Sequence, residues 1–273
     1  MARPSQRITL SVVLPAYNEQ DRLLPYLTSI ILYLSQRGDP YEIVVVDDGS
    51  RDETAQRVRQ FAADAREVRL IQLPGNAGKG AAVRAGMLAA HGALRLMADA
   101  DGATPIQEID RLEHALSEGA DLAIGSRFLG SRDSRYRVQA RWHRTVLGNA
   151  FNQMAQRLGL EGITDTQCGF KLFRKRVAED LFSVSRIDGY GFDLELLYVA
   201  RRARLDVPES IAPLQSDTRS FPKTLPAPIP TAPPAQDAPT RAGQSQRRSR
   251  PSRRTATVSC DAEMLEHTRP SKQ

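Results

Sequence analysis

Cysteine is scarce in this chain of 273 residues, and long apolar runs are missing. Only Cys168 and Cys260 are present, which excludes a disulfide-stapled scaffold and leaves too few thiolates for a structural zinc site. The longest apolar stretch, around residues 8–16, is shorter than the roughly 20 residues that a membrane helix needs. Because no signal peptide pattern precedes it, the sequence predicts a cytoplasmic protein without a transmembrane span.

The charge is distributed unevenly along the chain. Residues 204–273 contain 11 Lys and Arg against 7 Asp and Glu, 11 of the 17 prolines and one aromatic residue. Such a segment cannot bury enough apolar surface to offset its ordering entropy. We therefore predict a folded domain over residues 8–203 and a disordered Pro/Arg-rich tail over residues 204–273. Since most of the basic surplus lies in that tail, the net charge of +6 does not imply a nucleic-acid partner.

Strand and helix patterns alternate up to Ser126. The predicted strands are apolar runs, as in a parallel sheet covered on both faces: Thr9–Ala16, Glu42–Asp47, Val68–Leu73, Leu94–Ala98 and Leu122–Ser126. The predicted helices between them are Glu19–Gln36, Thr54–Ala65, Gly78–His91 and Ile106–Ser117. This alternation predicts an α/β domain with a doubly wound sheet. Further on we predict a helix over Trp142–Leu158, a strand over Cys168–Phe173 and two more helices, with regular structure ending near Ala203.

Acidic residues follow three of the predicted strands. In an open α/β sheet, ligands bind at the carboxyl ends of the strands, and here those ends are Pro15–Glu19, Asp47–Ser50 and Asp99–Gly102. Two carboxylates separated by one small residue, as in Asp99 and Asp101, suit a hard cation such as Mg²⁺ or Mn²⁺ together with phosphate oxygens. For the second cluster the alternative is that Asp48–Asp52 only cap the following helix.

Five motifs in this order resemble family 2 glycosyltransferases, and more narrowly the polyprenyl-phosphate sugar synthases. They are PAYNE (Pro15–Glu19), VVVDDGSRDET (Val44–Thr54), NAGKGAAVRAG (Asn76–Gly86), DADGA (Asp99–Ala103) and GSR (Gly125–Arg127). Two later stretches, Asp165–Phe173 and Gly189–Arg202, are similar to the dolichyl-phosphate β-glucosyltransferase branch. The resemblance implies a single GT-A, Rossmann-like nucleotide-diphospho-sugar transferase domain with a mostly parallel sheet. It also implies inverting, metal-dependent transfer of glucose from UDP-glucose to a dolichyl or polyprenyl phosphate.

The resemblance also assigns a donor site. Nucleotide-sugar contacts are implied for Pro15, Tyr17, Glu19, Asp47, Asp48, Lys79, Asp99, Ala100 and Asp101. Asp99 and Asp101 are implied as the ligands of Mg²⁺ or Mn²⁺ and, with Arg127, as the catalytic residues. Relatives often have a Gln two residues after the second acid. This chain has Ala103 there, so water or Thr104 is expected to take that place.

Arginines crowd the segment after the GSR motif, where Arg127, Arg132, Arg135, Arg137, Arg141 and Arg144 accompany one acid, Asp133. Because Arg forks bind phosphate oxygens bidentately, we predict that Arg127, Arg141 and Arg144 hold the acceptor phosphate. The alternatives are a solvated basic loop or one docked on anionic lipid heads. The helix beginning at Trp142 is either packed in the core or interfacial. A lipid acceptor predicts peripheral contact with the inner face of the membrane.

Other functions stay open. The donor could be GDP-mannose, since the nucleotide pocket is similar. The chain could also be a non-catalytic nucleotide-sugar-binding or scaffold protein, because it departs from the family after Arg202 and a last edge strand is in doubt. A receiver-type signalling domain would explain Asp47 and Asp48 but gives no reason for Asp99 and Asp101. Cys168 is interpreted as a packed thiol, because no His partner for a nucleophile is evident.

Overall fold

The computed structural model describes residues 7–126 and 165–211. Within them the strands are β1 (Leu10–Ala16), β2 (Tyr41–Asp47), β3 (Val68–Gln72), β4 (Leu94–Ala98), β5 (Leu122–Ser126), β6 (Phe170–Arg174) and β7 (Glu209–Ile211). The helices are α1 (Leu23–Arg37), α2 (Thr54–Asp64), α3 (Lys79–Ala89), α4 (Ile109–Ser117), α5 (Lys175–Val184) and α6 (Phe192–Arg202), with a 3₁₀ turn over Ile106–Glu108.

The strands form one sheet in the order β3-β2-β1-β4-β6-β5-β7. β1 runs parallel to both of its neighbours, β2 and β4, and β3 runs parallel to β2. β6 is antiparallel to β4 and β5, and β7 is parallel to β5. Only β6 therefore runs against the others among the described strands. The predicted α/β class with a mostly parallel sheet is confirmed.

The central strands are buried because helices cover both faces of the sheet. Residues Val12–Leu14 of β1 and Ile43–Val46 of β2 have no exposed surface. On one face α3 approaches the sheet closely, since a Cβ at Gly86 would lie 2.4 Å from the Val13 side chain. The apolar runs that predicted these strands thus form the core of the domain.

Regular structure continues past Ala203, where the sequence predicted that it would end. β7 pairs with β5, from Ile124 opposite Glu209 to Ser126 opposite Ile211. Before the strand, the carbonyl of Pro208 accepts from the N–H of Ile124 at 3.1 Å. The prediction was wrong because three residues are too few to show a hydrophobic period, and this strand exists through bonds to a strand remote in sequence. The doubt about a last edge strand is thereby removed.

Three sequence predictions fall outside the described residues: the helix over Trp142–Leu158, the arginine-rich segment from Arg127 onward, and the tail from residue 212 to the end. In the part that is described, no helix has the length and apolar character needed to cross a membrane.

A buried carboxylate, Glu42, lies at the amino-terminal edge of the sheet and is fully paired. Its Oε1 accepts from the Ser11 hydroxyl and from the N–H of His91, both at 2.6 Å. Its Oε2 accepts from Arg69 Nε at 3.0 Å. Burial alone would raise the pKa of Glu42, but the hydrogen bonds from Ser11, His91 and Arg69 outweigh it and lower the pKa to about 2.

The first prediction concerns β7. A chain that ends at Pro208 loses only the β7 bonds to β5, and we expect a melting temperature about 5–10 °C below that of a chain ending at Ser216, from two to three lost hydrogen bonds of about 1 kcal/mol each. The chain ending at Ser216 should melt like the full chain, because the composition beyond it does not support a packed core. Scanning calorimetry of the three proteins measures this. Equal melting temperatures for the two shortened chains would show that β7 contributes nothing.

The second prediction concerns Glu42. Since its folded pKa is lowered, it contributes stability above its unfolded pKa of 4.5 and loses it as the pH falls toward about 2. Glu42→Gln should therefore lower the free energy of unfolding by about 3 kcal/mol at pH 7. Urea titrations should show this deficit shrinking between pH 5 and pH 2. Glu67→Gln, at an exposed position, serves as the control, and a deficit independent of pH would contradict the assignment.

Candidate functional site

The loops after β1 and β2 are tied together. The backbone N–H groups of residues 18–20 donate to side chains of the second loop, at 2.9 Å to Ser50, 2.8 Å to Thr54 and 3.3 Å to Asp52. Asn18 adopts a left-handed φ of 55° and accepts from the N–H of Arg51 through its side chain. α1 begins at Leu23 and not at the predicted Glu19, because residues 20–22 form a turn in which the carbonyl of Glu19 accepts from the N–H groups of Arg22 at 3.1 Å and Leu23 at 3.0 Å.

The acids after β2 have different partners. Asp48 is 3% exposed, and its two oxygens accept from the N–H groups of Ala77 at 2.7 Å and Gly78 at 2.9 Å. Asp52 instead accepts from the N–H of Thr54, the first residue of α2, at 3.0 Å. The helix-cap alternative therefore describes Asp52, whereas Asp48 fixes the loop before α3. Asp47 accepts from the N–H of Ser50 at 3.2 Å.

The start of α3 is clamped by the segment that precedes α6. The carbonyl of Asp188 accepts from the N–H groups of Gly80 at 2.6 Å and Ala81 at 3.2 Å. Gly78 has a φ of +104°, and a Cβ there would lie 2.4 Å from the same carbonyl. Both features require glycine at position 78. The backbone at Lys79, between these two glycines, is thus held in place.

Lys79 pairs with Asp99 just beyond the end of β4. Its Nζ lies 2.6 Å from Asp99 Oδ1. Burial acts to lower the pKa of Lys79, but the charges of Asp99 and Asp193 and the hydrogen bond to Asp99 together outweigh it, and the pKa is raised. On the other side, the N–H of Asp99 donates to the carbonyl of Gly169 at 2.9 Å. A Cβ on Gly169 would fall 2.0 Å from Asp99 Oδ2, so only glycine leaves room for this carboxylate.

Asp101 and Glu19 add negative charge beside Asp99. Asp101 accepts from the N–H of Ala103 at 3.0 Å. Glu19 Oε1 accepts from Arg22 at 2.6 Å, while its Oε2 is buried without a hydrogen-bond partner. Burial raises the pKa of Glu19, Arg22 opposes this, and the charges of Asp101 and Asp99 raise the pKa further. Three acids from two loops therefore lie within electrostatic range of one another.

A buried ion pair joins β6 to α6, within electrostatic range of Lys79 and Asp99. The sequence analysis did not predict it. Lys171 of β6 is 0% exposed, and its Nζ donates to Asp193 Oδ1 at 2.5 Å and to the carbonyl of Cys168 at 2.6 Å. Burial raises the pKa of Asp193, and the charges of Lys171 and Lys79 oppose this. One signal was available: a lysine inside the apolar run Phe170–Phe173 needs a buried partner.

Asp99 and Asp101 fit a divalent cation whose coordination is completed by a bound ligand. Within residues 7–126 and 165–211, no group of three His, Cys, Asp or Glu side chains could hold a metal ion. Mg²⁺ is usually bound through one or two carboxylates plus substrate phosphates, and Asp99 and Asp101 offer that set. The unpartnered buried oxygen of Glu19 adds to the local demand for positive charge.

The remaining predicted residues are placed as follows. Pro15 is the last residue but one of β1, Tyr17 follows the strand and is 38% exposed, and Ala100 is buried between the two acids. Thr104 is buried, and its carbonyl accepts from the Tyr26 hydroxyl at 3.0 Å. Arg127, Arg141 and Arg144 lie outside the described residues. Cys168 is 1% exposed and lies in the hydrophobic core.

The family model for glycosyl transferase family 2 matches residues 11–182. This chain belongs to glycosyl transferase family 2. The match includes the β1, β2 and β4 loops and the Gly169–Lys171 segment, so the expected resemblance is confirmed.

Within the family, the chain is similar to curated proteins that share one name. The chain is 40% identical over 214 residues to a dolichyl-phosphate β-glucosyltransferase of Trichomonas vaginalis, covering 76% of this chain and 63% of the relative. It is 39% identical over 215 residues to the human protein of that name, covering 73% and 65%. For the Saccharomyces cerevisiae protein the identity is 37% over 220 residues, covering 75% and 66%. The chain thus spans just under two thirds of the length of these relatives.

Solved structures share the fold. Glucosyl-3-phosphoglycerate synthase from Mycobacterium tuberculosis, in complex with Mn²⁺ and UDP-glucose, has a TM-score of 0.55 and 23% identity, covering 77% of this chain and 72% of that chain. The same protein in complex with phosphoglyceric acid also has a TM-score of 0.55 and 23% identity, covering 77% and 73%. The likeness confirms the expected GT-A-like architecture.

The third prediction concerns the buried pair. Lys171→Met leaves Asp193 as an unpaired buried acid, so the free energy of unfolding should fall by about 3–5 kcal/mol. The double variant Lys171→Met/Asp193→Leu removes both charges and should recover most of the loss. Urea unfolding of both variants measures this, with Lys175→Met, a half-exposed lysine, as the control. A double variant as unstable as the single one would show that the charges are not the cause.

Proposed function

We propose that this chain transfers glucose from UDP-glucose to a dolichyl or polyprenyl phosphate, with inversion at the anomeric carbon. The observation that carries the proposal is the grouping of Asp99, Asp101, Glu19 and Lys79 at the carboxyl edge of the sheet. The names of the curated relatives support the same donor sugar and acceptor class.

The donor diphosphate is assigned to the Asp99 and Asp101 side of the site. These two carboxylates would hold Mg²⁺ or Mn²⁺, which supplies charge neutralisation of the departing diphosphate. Lys79 donates to a diphosphate oxygen from the start of α3. The residues proposed to contact the nucleotide or the sugar are Pro15, Tyr17, Glu19, Asp47, Asp48 and Ala100.

The acceptor supplies its own nucleophile. A phosphate monoester has a second pKa near ~6, so its oxygen is largely ionised at neutral pH and no general base is required. That oxygen attacks the anomeric carbon opposite the bond to UDP, which breaks with its electron pair leaving on UDP. One displacement converts the α-linked donor into a β-linked product. Asp193, a buried acid near the site, is engaged by Lys171 and is assigned no proton transfer.

The acceptor phosphate is assigned to Arg127, Arg141 and Arg144, which lie outside the described residues. A polyprenyl chain resides in a bilayer, so we propose peripheral contact with the cytoplasmic face of a membrane. No nucleic-acid partner is proposed.

An assay with two labelled donors tests the proposal. The protein is incubated with radiolabelled UDP-glucose or GDP-mannose, dolichyl phosphate and Mg²⁺ or Mn²⁺, and the lipid phase is counted. We expect label in lipid from UDP-glucose only, and none after addition of EDTA. Label from GDP-mannose instead would identify a mannosyltransferase. Nucleotide-sugar binding by calorimetry without transfer from either donor would indicate a non-catalytic binding protein.

The fourth prediction concerns Gly169. In Gly169→Ala the new Cβ takes the place of the Asp99 carboxylate, so the diphosphate-binding geometry shifts by an ångström or more. Displacement on that scale can cost about 100-fold in rate, and we expect kcat/KM for UDP-glucose to fall at least about 10-fold. The control is Gly75→Ala, where a Cβ meets no atom within 4 Å. Full activity in Gly169→Ala with unchanged thermal stability would exclude Asp99 from the mechanism.

A further inference from the structure

One cation already occupies the carboxylate that is proposed to bind the metal. Lys79 Nζ lies 2.6 Å from Asp99 Oδ1, and the lysine side chain is 22% exposed. A divalent ion bound to Asp99 would lie at about 2.0–2.2 Å from a carboxylate oxygen. The ammonium group and the metal ion would then be near neighbours with like charge, and they would repel each other strongly. Lys79 and a metal ion bound through Asp99 Oδ1 would therefore compete for the same carboxylate oxygen.

The backbone of Lys79 cannot resolve this conflict by moving. Asp48 holds the N–H groups of Ala77 and Gly78, and the carbonyl of Asp188 holds that of Gly80. The side chain, in contrast, is a flexible four-carbon stem with a point charge at its end. Only the ammonium group is free to leave Asp99.

We propose that Lys79 is an internal counter-ion, which neutralises Asp99 in the donor-free protein and transfers to the donor diphosphate when metal and donor bind together. This inference rests on the proposed function for the identity of the incoming anion. When Asp99 binds the metal, the diphosphate provides a new negative partner for the ammonium group of Lys79. The site therefore takes up a free divalent ion weakly, and takes it up well only with a nucleoside diphosphate present.

Such coupling is reciprocal. If the donor raises the affinity for the metal, the metal raises the affinity for the donor by the same factor. Lys79 would contribute to this coupling with opposite signs in the two steps. It opposes binding of the metal alone, and it favours binding of the diphosphate.

The test measures Mn²⁺ binding to the nucleotide-free protein by electron paramagnetic resonance of the unbound ion. In Lys79→Met the competing charge is removed, and we expect Mn²⁺ to bind about 10-fold more tightly than to the wild type. Lys79→Gln should behave in the same way, which keeps the test valid if one variant fails to fold. Lys79→Arg retains the charge and should resemble the wild type, and so should Lys175→Met, which removes one charge far from Asp99 in sequence and outside the site.

A second set of measurements tests whether the gain in Mn²⁺ affinity depends on Asp99. It also separates this inference from the proposed function. Asp99→Asn in the Lys79→Met background should abolish the gained Mn²⁺ affinity. With Mn²⁺ saturating, Lys79→Met should weaken UDP-glucose binding by calorimetry about 10-fold. Unchanged or weaker Mn²⁺ binding in both Lys79→Met and Lys79→Gln would overturn the counter-ion role. If the Mn²⁺ gain is found but the wild type binds no UDP-glucose, the proposed function fails while the pairing of Lys79 with the metal site stands.

Discussion

The contact between Asp99 and Gly169 is the constraint on which the site depends. It joins the end of β4 to the residue before β6, and it exists because β6 runs antiparallel to β4. A strand that starts where its neighbour ends brings its first residues to the same edge of the sheet. Had β6 been parallel, Gly169 would lie at the opposite edge, far from Asp99. The single reversal of strand direction in the described sheet thus brings a distant motif to the carboxyl-end site.

Two carboxylates at opposite edges of the sheet, Glu42 and Glu19, differ in how completely their oxygens are hydrogen-bonded. At the amino-terminal edge, Glu42 accepts from a hydroxyl, a backbone N–H and a guanidinium group, and its charge stabilises the fold. At the carboxyl edge, Glu19 retains a buried oxygen without a partner, next to the charges of Asp99 and Asp101. Unsatisfied carboxylates cost stability in the free protein. One such oxygen on Glu19 beside the charges of Asp99 and Asp101 is the expected signature of a binding site.

Sequence reasoning found the elements whose signal is local. Apolar runs located the central strands within one or two residues, including the end of β4 just before Asp99. It did not find the roles of Gly169, Lys171 and Asp193, because each depends on a contact across the sheet or onto α6. It also placed the start of α1 at Glu19 instead of Leu23, and it did not find the side chains over 30 positions away that accept from the N–H groups of residues 18–20. Period and propensity carry no information about such partners.

The way in which α3 begins constrains how an anion is bound. In dinucleotide-binding folds, a diphosphate rests on the free N–H groups of a helix N-terminus. Here the N–H groups of Gly80 and Ala81 are already bonded to the carbonyl of Asp188. The glycines beside Lys79 therefore serve the approach of a protein segment and not that of a phosphate. With those donors occupied, positive charge has to come from side chains or from a bound cation. Lys79, the first residue of α3, provides one positive charge, and the two acids after β4 are placed to hold a cation that would provide more.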